Sequence, residues 1–258
     1  MPDPVFEEGP ILPHTRNDEL GAQPLRSLQD HESFPSSTWT LLLRVARAAV
    51  EGSSIDPCAN PVDVVGWVTL AAHAEAHGLA PLAHRSLQPH RHVAPEATMQ
   101  QLEALALRHR MRHRERTIAL TEILQTFERV SIDLLVLKGA ALAWSIYASP
   151  AVRPMGDIDL MVPAAATRAA QLSLRRLGFD THDMAQRRFG RNAHHLPIAS
   201  RSQNGVTISV EIHHDALSRD TLSSISMSNL TESPRPFDMN GTHALTLGHV
   251  DIDRKSVV

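Results

Sequence analysis

Apolar residues recur at helical spacing from residue 38 onward, and the pattern changes character near residue 130. Residues 38–50 (TWTLLLRVARAAV) predict a helix that ends near Gly52. A second helix is predicted from Pro61 or Val62 to His77, closed by Gly78, and a shorter one over 79–87. After a loop over 88–95 comes the longest, 96–130, with Leu102, Leu105, Ala106, Ile118, Leu120, Ile123, Leu124 and Phe127 marking a buried stripe. Beyond it the periods shorten. Residues 133–137 and 158–162 predict compact apolar strands, with a helix over 140–147 between them and another over 164–177, closed by Gly178. A strand near 179–182 is predicted next. Residues 206–213 alternate, with Val206, Ile208, Val210 and Ile212 on one face and Thr207, Ser209, Glu211 and His213 on the other. Residues 1–35 lack periodicity and read as a mobile tail.

This order predicts a helical region over 36–130, then a small β-α-β-α-β core over 131–240 and a short closing segment over 241–258. The class is α+β, with chemistry expected at strand ends. Composition narrows the function without naming it. The chain is 42% hydrophobic and 21% charged with net charge −3, so it lacks the strongly basic balance of a bulk nucleic-acid or membrane binder. One cysteine, Cys58, excludes an internal disulfide and Cys-rich zinc modules and fits a reducing compartment. No apolar run spans a bilayer, and the acidic, Pro-rich start is unlike a signal peptide, so a cytoplasmic location is expected.

Sixteen histidines are many for this length. His73/His77 and His109/His113 fall at i,i+4, but Glu75 lies midway between its pair rather than directly after the first histidine. Both pairs are therefore read as solvated helix positions, not a zinc site. The stretch 108–116 carries five arginines and two histidines; a solvated helix face is the expected reading, and a polyanion-binding face the competing one.

The chemistry concentrates in three places. Asp157 and Asp159 sit one residue apart at the head of a strand and so project from one side, where their mutual repulsion calls for a cation such as Mg²⁺. Lys138-Gly139 marks a strand-to-helix turn: the glycine permits a tight turn and close approach to the backbone amides, and the lysine adds a charge for phosphate. Arg153, ahead of the aspartates, suits a phosphate oxygen or one of the carboxylates. Glu211 stands on a polar strand face, where it would supply a third carboxylate. Three carboxylates on adjacent strands meet the needs of two-metal phosphoryl chemistry, which uses no side-chain nucleophile.

The segment 137–215 resembles the uncharacterised nucleotidyltransferase family of the polymerase-β-like superfamily. Its matching pieces are Leu137-Lys138-Gly139-Ala140-Ala141-Leu142, Tyr147, Arg153-Pro154-Met155-Gly156-Asp157-Ile158-Asp159-Leu160, Leu177-Gly178-Phe179 and Val210-Glu211-Ile212-His213. The resemblance implies a polymerase-β-like nucleotidyltransferase core with a mixed sheet, preceded by a helical region. It also implies divalent metal, Mg²⁺ or Mn²⁺, at Asp157 and Asp159, with Glu211 as the third acidic position. From the residues themselves, Lys138, Gly139 and Arg153 are the nucleotide-binding candidates. His213 belongs to the family's acidic-x-His signature as a candidate cleft residue, and His195, close in sequence to the acidic strand, sits in a loop that either lines the cleft or is an ordinary loop. The reaction implied is transfer of a nucleoside monophosphate from ATP or another NTP to an acceptor hydroxyl or phosphate. Two alternatives stay open: a nucleotide-binding regulatory protein without turnover, and a toxin-like enzyme whose acceptor is RNA or protein. The wider superfamily places Gly-Gly or Gly-Ser before its metal aspartates, whereas this chain has Lys138-Gly139 and a longer interval. Members usually continue into a longer helical region, so the unpatterned close over 253–258 predicts a truncated or divergent terminus.

Overall fold

A computed structural model of the chain describes residues 36–59, 61–181, 195–215 and 225–256. The tail expected over 1–35, His182 and His194 lie outside them. The helices begin with α1 (Ser36–Glu51), α2 (Val64–Ala76), α3 (Ala80–Leu87) and the 34-residue α4 (Glu96–Arg129). Asp63 caps α2, its carboxylate accepting from Gly66 N–H at 2.6 Å. The alternating part follows as β1 (Leu135–Val136), α5 (Lys138–Ser145), β2 (Ile158–Met161), α6 (Thr167–Arg176), β3 (Asp180–Thr181), β4 (Ala199–Gln203) and β5 (Val206–His213). A hairpin, β6 (Arg235–Met239) with β7 (Thr242–Thr246), and α7 (His249–Ser256) complete it.

Five strands form one mixed sheet in the order β1-β2-β5-β4-β3, giving the expected α+β class. Only β2 and β5 run parallel, and their register sets Asp159 opposite Glu211. On one face, Val136, Ile158, Leu160, Ile208, Val210 and Ile212 pack against Leu120, Ile123 and Phe127 of α4 and Ala170 and Leu174 of α6. Each fully buried side chain of this size contributes about 1.5–3 kcal/mol relative to exposure. The other face carries Leu135, Leu137 and Met161, which pack against Ile225 and Leu247. Asp159, in phase with Met161, also belongs to that face.

α4 joins two hydrophobic clusters. Its first half (Met99, Leu102) packs with α1, α2 and α3, and its second half belongs to the sheet's cluster. Between them the helix is pinned by polar contacts. Glu75 of α2 accepts from Arg108 at 2.5 Å and bonds His109 Nε2 at 2.8 Å. His109 is thus a buried, partnered residue rather than a solvated one, and Arg116 is buried as well. The stripe continues through them because α4 needs partners on the same face along its whole length.

Burial alone would raise the Glu75 carboxyl; its bonds and charge contacts with His109 and Arg108 outweigh that and hold it below its ordinary value of 4.5. A depressed carboxylate stabilises the fold fully above that value, and the contribution disappears as pH falls through the lowered folded value. Glu75→Gln is therefore expected to lower the melting temperature at pH 7. The gap to wild type should close in melts taken at progressively lower pH below 4.5.

Several elements differ from expectation. The first predicted strand shortens to Leu135–Val136, and α5 begins at Lys138 rather than Ala140. β4 (ASRSQ) is a polar strand without apolar alternation, formed through the turn at Asn204-Gly205, where both residues have positive φ (49° and 74°). The same left-handed pair, Asn240-Gly241 (53° and 88°), makes the β6–β7 hairpin. The close expected to be unpatterned is helical, α7 running to Ser256.

Candidate active site

The site is assembled where β1 ends beside β2 and β5. Although β1 stops at Val136, the next residue still pairs: Leu137 N–H donates to Asp159 C=O at 2.9 Å. Lys138 then enters the left-handed region, with φ 47°, as α5 begins. That conformation is costly for a residue with a Cβ, and here it accompanies an ammonium directed at Asp159. Lys138 Nζ contacts Asp159 Oδ1 and lies 3.9 Å from Glu211 Oε2.

A second side chain meets the same oxygens. His213 sits two residues beyond Glu211 on β5, so both side chains share a face. Its Nε2 is 2.8 Å from Asp159 Oδ1 and 3.4 Å from Glu211 Oε2, with both His213 and Asp159 buried to 1% exposure. Ligand atoms of Asp159, Glu211 and His213 lie within 4.8 Å of one another. Two carboxylates and an imidazole at that spacing fit a divalent cation, with oxygen donors suiting Mg²⁺ or Mn²⁺ and the nitrogen favouring a transition metal.

Asp157 lies one residue ahead of β2, half-buried and outside that three-residue set. Burial first, then the charges of Asp159 and Glu211, push its carboxyl above the ordinary range, with Lys138 opposing. Asp159 moves the other way: burial would raise it, but hydrogen bonds from His213 and Lys138 hold it low. Glu211 is lowered chiefly by its bond to His213, against burial. His213 itself is raised, because bonds to Asp159 and Glu211 overcome the burial that disfavours its charge. The centre thus gathers Asp159 and Glu211 around Lys138 and His213, with Asp157 close enough to feel both carboxylates.

Arg153 forms no ion pair with the aspartates among the described residues. Its guanidinium lies 5.8 Å from the Tyr147 ring centroid, and its Nε is buried without a hydrogen-bond partner. Lys138, Gly139 and Arg153 together line a cavity of about 250 Å³ with Leu137, Leu142, Thr246, Leu247 and Ile252. The C-terminal hairpin and α7 therefore wall the side of the site that carries the nucleotide-binding candidates. His195 bridges His213 in a short β contact, with ring centroids 5.4 Å apart.

The tight turn expected of Gly139 is made instead by Lys138. Gly139 has no positive φ, and a Cβ there would meet Met155 Cγ at 3.6 Å, an ordinary contact. Gly139→Ala is accordingly expected to leave thermal stability unchanged or raise it by up to about 1 kcal/mol, since glycine weakens a helix. Any loss of NTP affinity in that variant, measured by equilibrium titration, would report ligand approach to the α5 amides.

One residue escaped the sequence reading. Arg116 of α4, counted there among a solvated arginine run, donates to Gly156 C=O at 3.1 Å and thereby holds the loop that carries Asp157. Burial and then Arg112 hold its guanidinium below the ordinary value, and Asp157 opposes them only in part. Its signal was present: positions 102, 106, 109, 113, 116, 120, 123 and 127 alternate steps of four and three along one helix face. Arg110, Arg112 and Arg114 remain exposed.

No helix among the described residues is long and apolar enough to cross a membrane. No significant match was found among curated proteins or among solved structures. A family profile described as uncharacterised nucleotidyltransferase matches residues 63–252, from the N-cap of α2 into α7, and so takes in the helical region from α2 onward and every site residue named above. The chain belongs to the uncharacterised nucleotidyltransferase family.

Proposed function

We propose that the protein transfers a nucleoside monophosphate from an NTP to an acceptor hydroxyl or phosphate, at a divalent-metal centre formed by Asp157, Asp159 and Glu211 with His213 beside them. The observation that carries this reading is the convergence of Asp159, Glu211 and His213 within 4.8 Å on paired strands, with the charge of Asp157 coupled to both carboxylates. Two divalent ions bound there would neutralise the triphosphate and lower the pKa of the attacking hydroxyl.

The chain's own residues do the rest. Asp159 and Glu211, set opposite each other by the β2–β5 register, fix the cluster on rigid backbone. Asp157 reaches the reacting side from the loop that Arg116 holds. Lys138 and Arg153 line the adjoining cavity and supply positive charge for the phosphates, with Gly139 permitting close approach. The apolar walls of that cavity suit a nucleobase and exclude water from the phosphates. An imidazole among the donors favours Mn²⁺ over Mg²⁺ in affinity. The acceptor stays open between a small molecule, RNA and protein. Arg110, Arg112 and Arg114 are the residues an RNA strand would use, and a steep salt dependence of RNA binding lost on their replacement would identify it.

The test is incubation with each α-labelled NTP, Mn²⁺ or Mg²⁺ and a lysate of candidate acceptors, comparing wild type with the Asp157→Ala/Asp159→Ala double variant. Label transfer by wild type alone supports the reading. Transfer that survives the double substitution sinks it, and NTP binding without transfer by wild type would favour a regulatory protein of the same fold.

A further inference from the structure

We propose that Lys138 is an exchangeable counter-ion: its ammonium occupies the cation position on Asp159 and Glu211 until a metal–nucleotide complex binds, and then passes to the nucleotide's phosphates. The proposal rests on the metal-centre reading above and adds to it a rule for the order of binding.

Three observations point to it. First, the ammonium contacts Asp159 Oδ1 and lies 3.9 Å from Glu211 Oε2, two carboxylates that also belong to the candidate metal-binding set. An ammonium and a divalent ion cannot share those oxygens without strong repulsion. Second, the two side chains that meet these oxygens are held differently. His213 is buried and locked on β5 between Asp159 and Glu211, whereas the Lys138 side chain is 40% exposed on a flexible four-carbon stem. Lys138 is the one free to leave. Third, it has somewhere to go, because it also lines the cavity shared with Gly139 and Arg153, on the phosphate-binding side. The left-handed backbone at Lys138, φ 47°, is a strained conformation that sets the side chain at the junction of cavity and carboxylates.

The consequence is a thermodynamic coupling. A bare metal ion must displace the ammonium and leave it without an anion. A metal that arrives with a triphosphate supplies the anion that re-pairs it. Metal and nucleotide therefore bind cooperatively through one side chain, and by linkage each tightens the other by the same factor. Removing the ammonium should have effects of opposite sign on the two ligands: tighter bare metal, weaker nucleotide.

The experiment titrates Mn²⁺ into the full chain at fixed neutral pH, reading free Mn²⁺ by electron paramagnetic resonance, with and without a non-hydrolysable NTP analogue. Wild type, Lys138→Met and Asp159→Asn are compared. Lys138→Gly serves as a second variant, because glycine is at home at positive φ and preserves the turn if methionine does not. Both Lys138 variants are expected to bind Mn²⁺ about tenfold more tightly without nucleotide, a modest coupling of 1.4 kcal/mol. The analogue should tighten Mn²⁺ strongly in wild type and much less in the variants. Unchanged or weaker Mn²⁺ binding by both folded Lys138 variants overturns the exchange while leaving the metal centre intact. Mn²⁺ binding that Asp159→Asn does not affect overturns the metal centre, and the exchange with it.

Discussion

Asp159→Asn is expected to lower nucleotidyl transfer by at least about a thousandfold, the scale on which a charge is removed from a preorganised site. Everything at the centre meets on this carboxylate. It is buried, opposite Glu211 in the sheet register, and contacted by both Lys138 and His213. Asparagine keeps the size and one acceptor oxygen but loses the charge that holds the Lys138 ammonium and, after exchange, a metal ion. Glu211 would then be left to balance Lys138 and His213 alone. Circular dichroism and thermal melts should show a folded protein, so that the lost transfer, read by label incorporation, is assigned to the site rather than to unfolding.

Asp157→Asn is expected to separate activity from stability. Transfer should fall by about a hundredfold or more, on the scale of losing one charged group at a phosphoryl-transfer centre, while the melting temperature rises. The reason is in the direction of its titration. Burial and the neighbouring carboxylates hold the Asp157 carboxyl above its ordinary value of 3.8. An acid raised in the folded state costs nothing while it is protonated. The penalty appears as pH climbs through the raised folded value, and it is complete above it. The stabilisation by asparagine should thus be present at pH 7 and fade in acid. Mn²⁺ added to wild type should raise the melting temperature by relieving the same repulsion, and should do so less in the variant. A substitution that abolishes transfer and destabilises at neutral pH would contradict this account of Asp157.

Much of this was legible in the sequence because it rests on short-range regularities. The helical periods placed α2, α3 and α4 to within a few residues, and strict alternation over 206–213 located β5. The Glu-x-His spacing puts Glu211 and His213 on one strand face, since period two fixes the face of a strand, whereas Asp157 precedes β2 and its placement is not set by that period. What was not legible came from tertiary partners. His213 alternates with Thr207 and Ser209 and so reads as polar and exposed; it is buried beside Met161, its partner on β2, which packs against Ile225 and Leu247. The spacing along α4 marks position 116 as part of the buried face, but the partner that Arg116 finds there, Gly156 C=O, is set by the fold alone. The Asn204-Gly205 and Asn240-Gly241 turns were visible hairpin signals. The runs beside them are ambiguous, because β4 is polar and β6 contains Pro236, so neither looks like a strand on its own. The positive φ of Lys138 has no sequence mark at all: a glycine follows it, and only the continued pairing of Leu137 with Asp159 assigns the turn to the lysine.

Anomalous diffraction from crystals grown with Mn²⁺ and a non-hydrolysable NTP analogue would decide whether Asp157, Asp159 and Glu211 form the proposed metal–nucleotide centre. Mn²⁺ peaks are expected between Asp159 and Glu211, with the analogue's phosphates against Lys138 and Arg153. Nucleotide bound elsewhere, or well-ordered nucleotide with no Mn²⁺ peak at these carboxylates, would contradict that assignment.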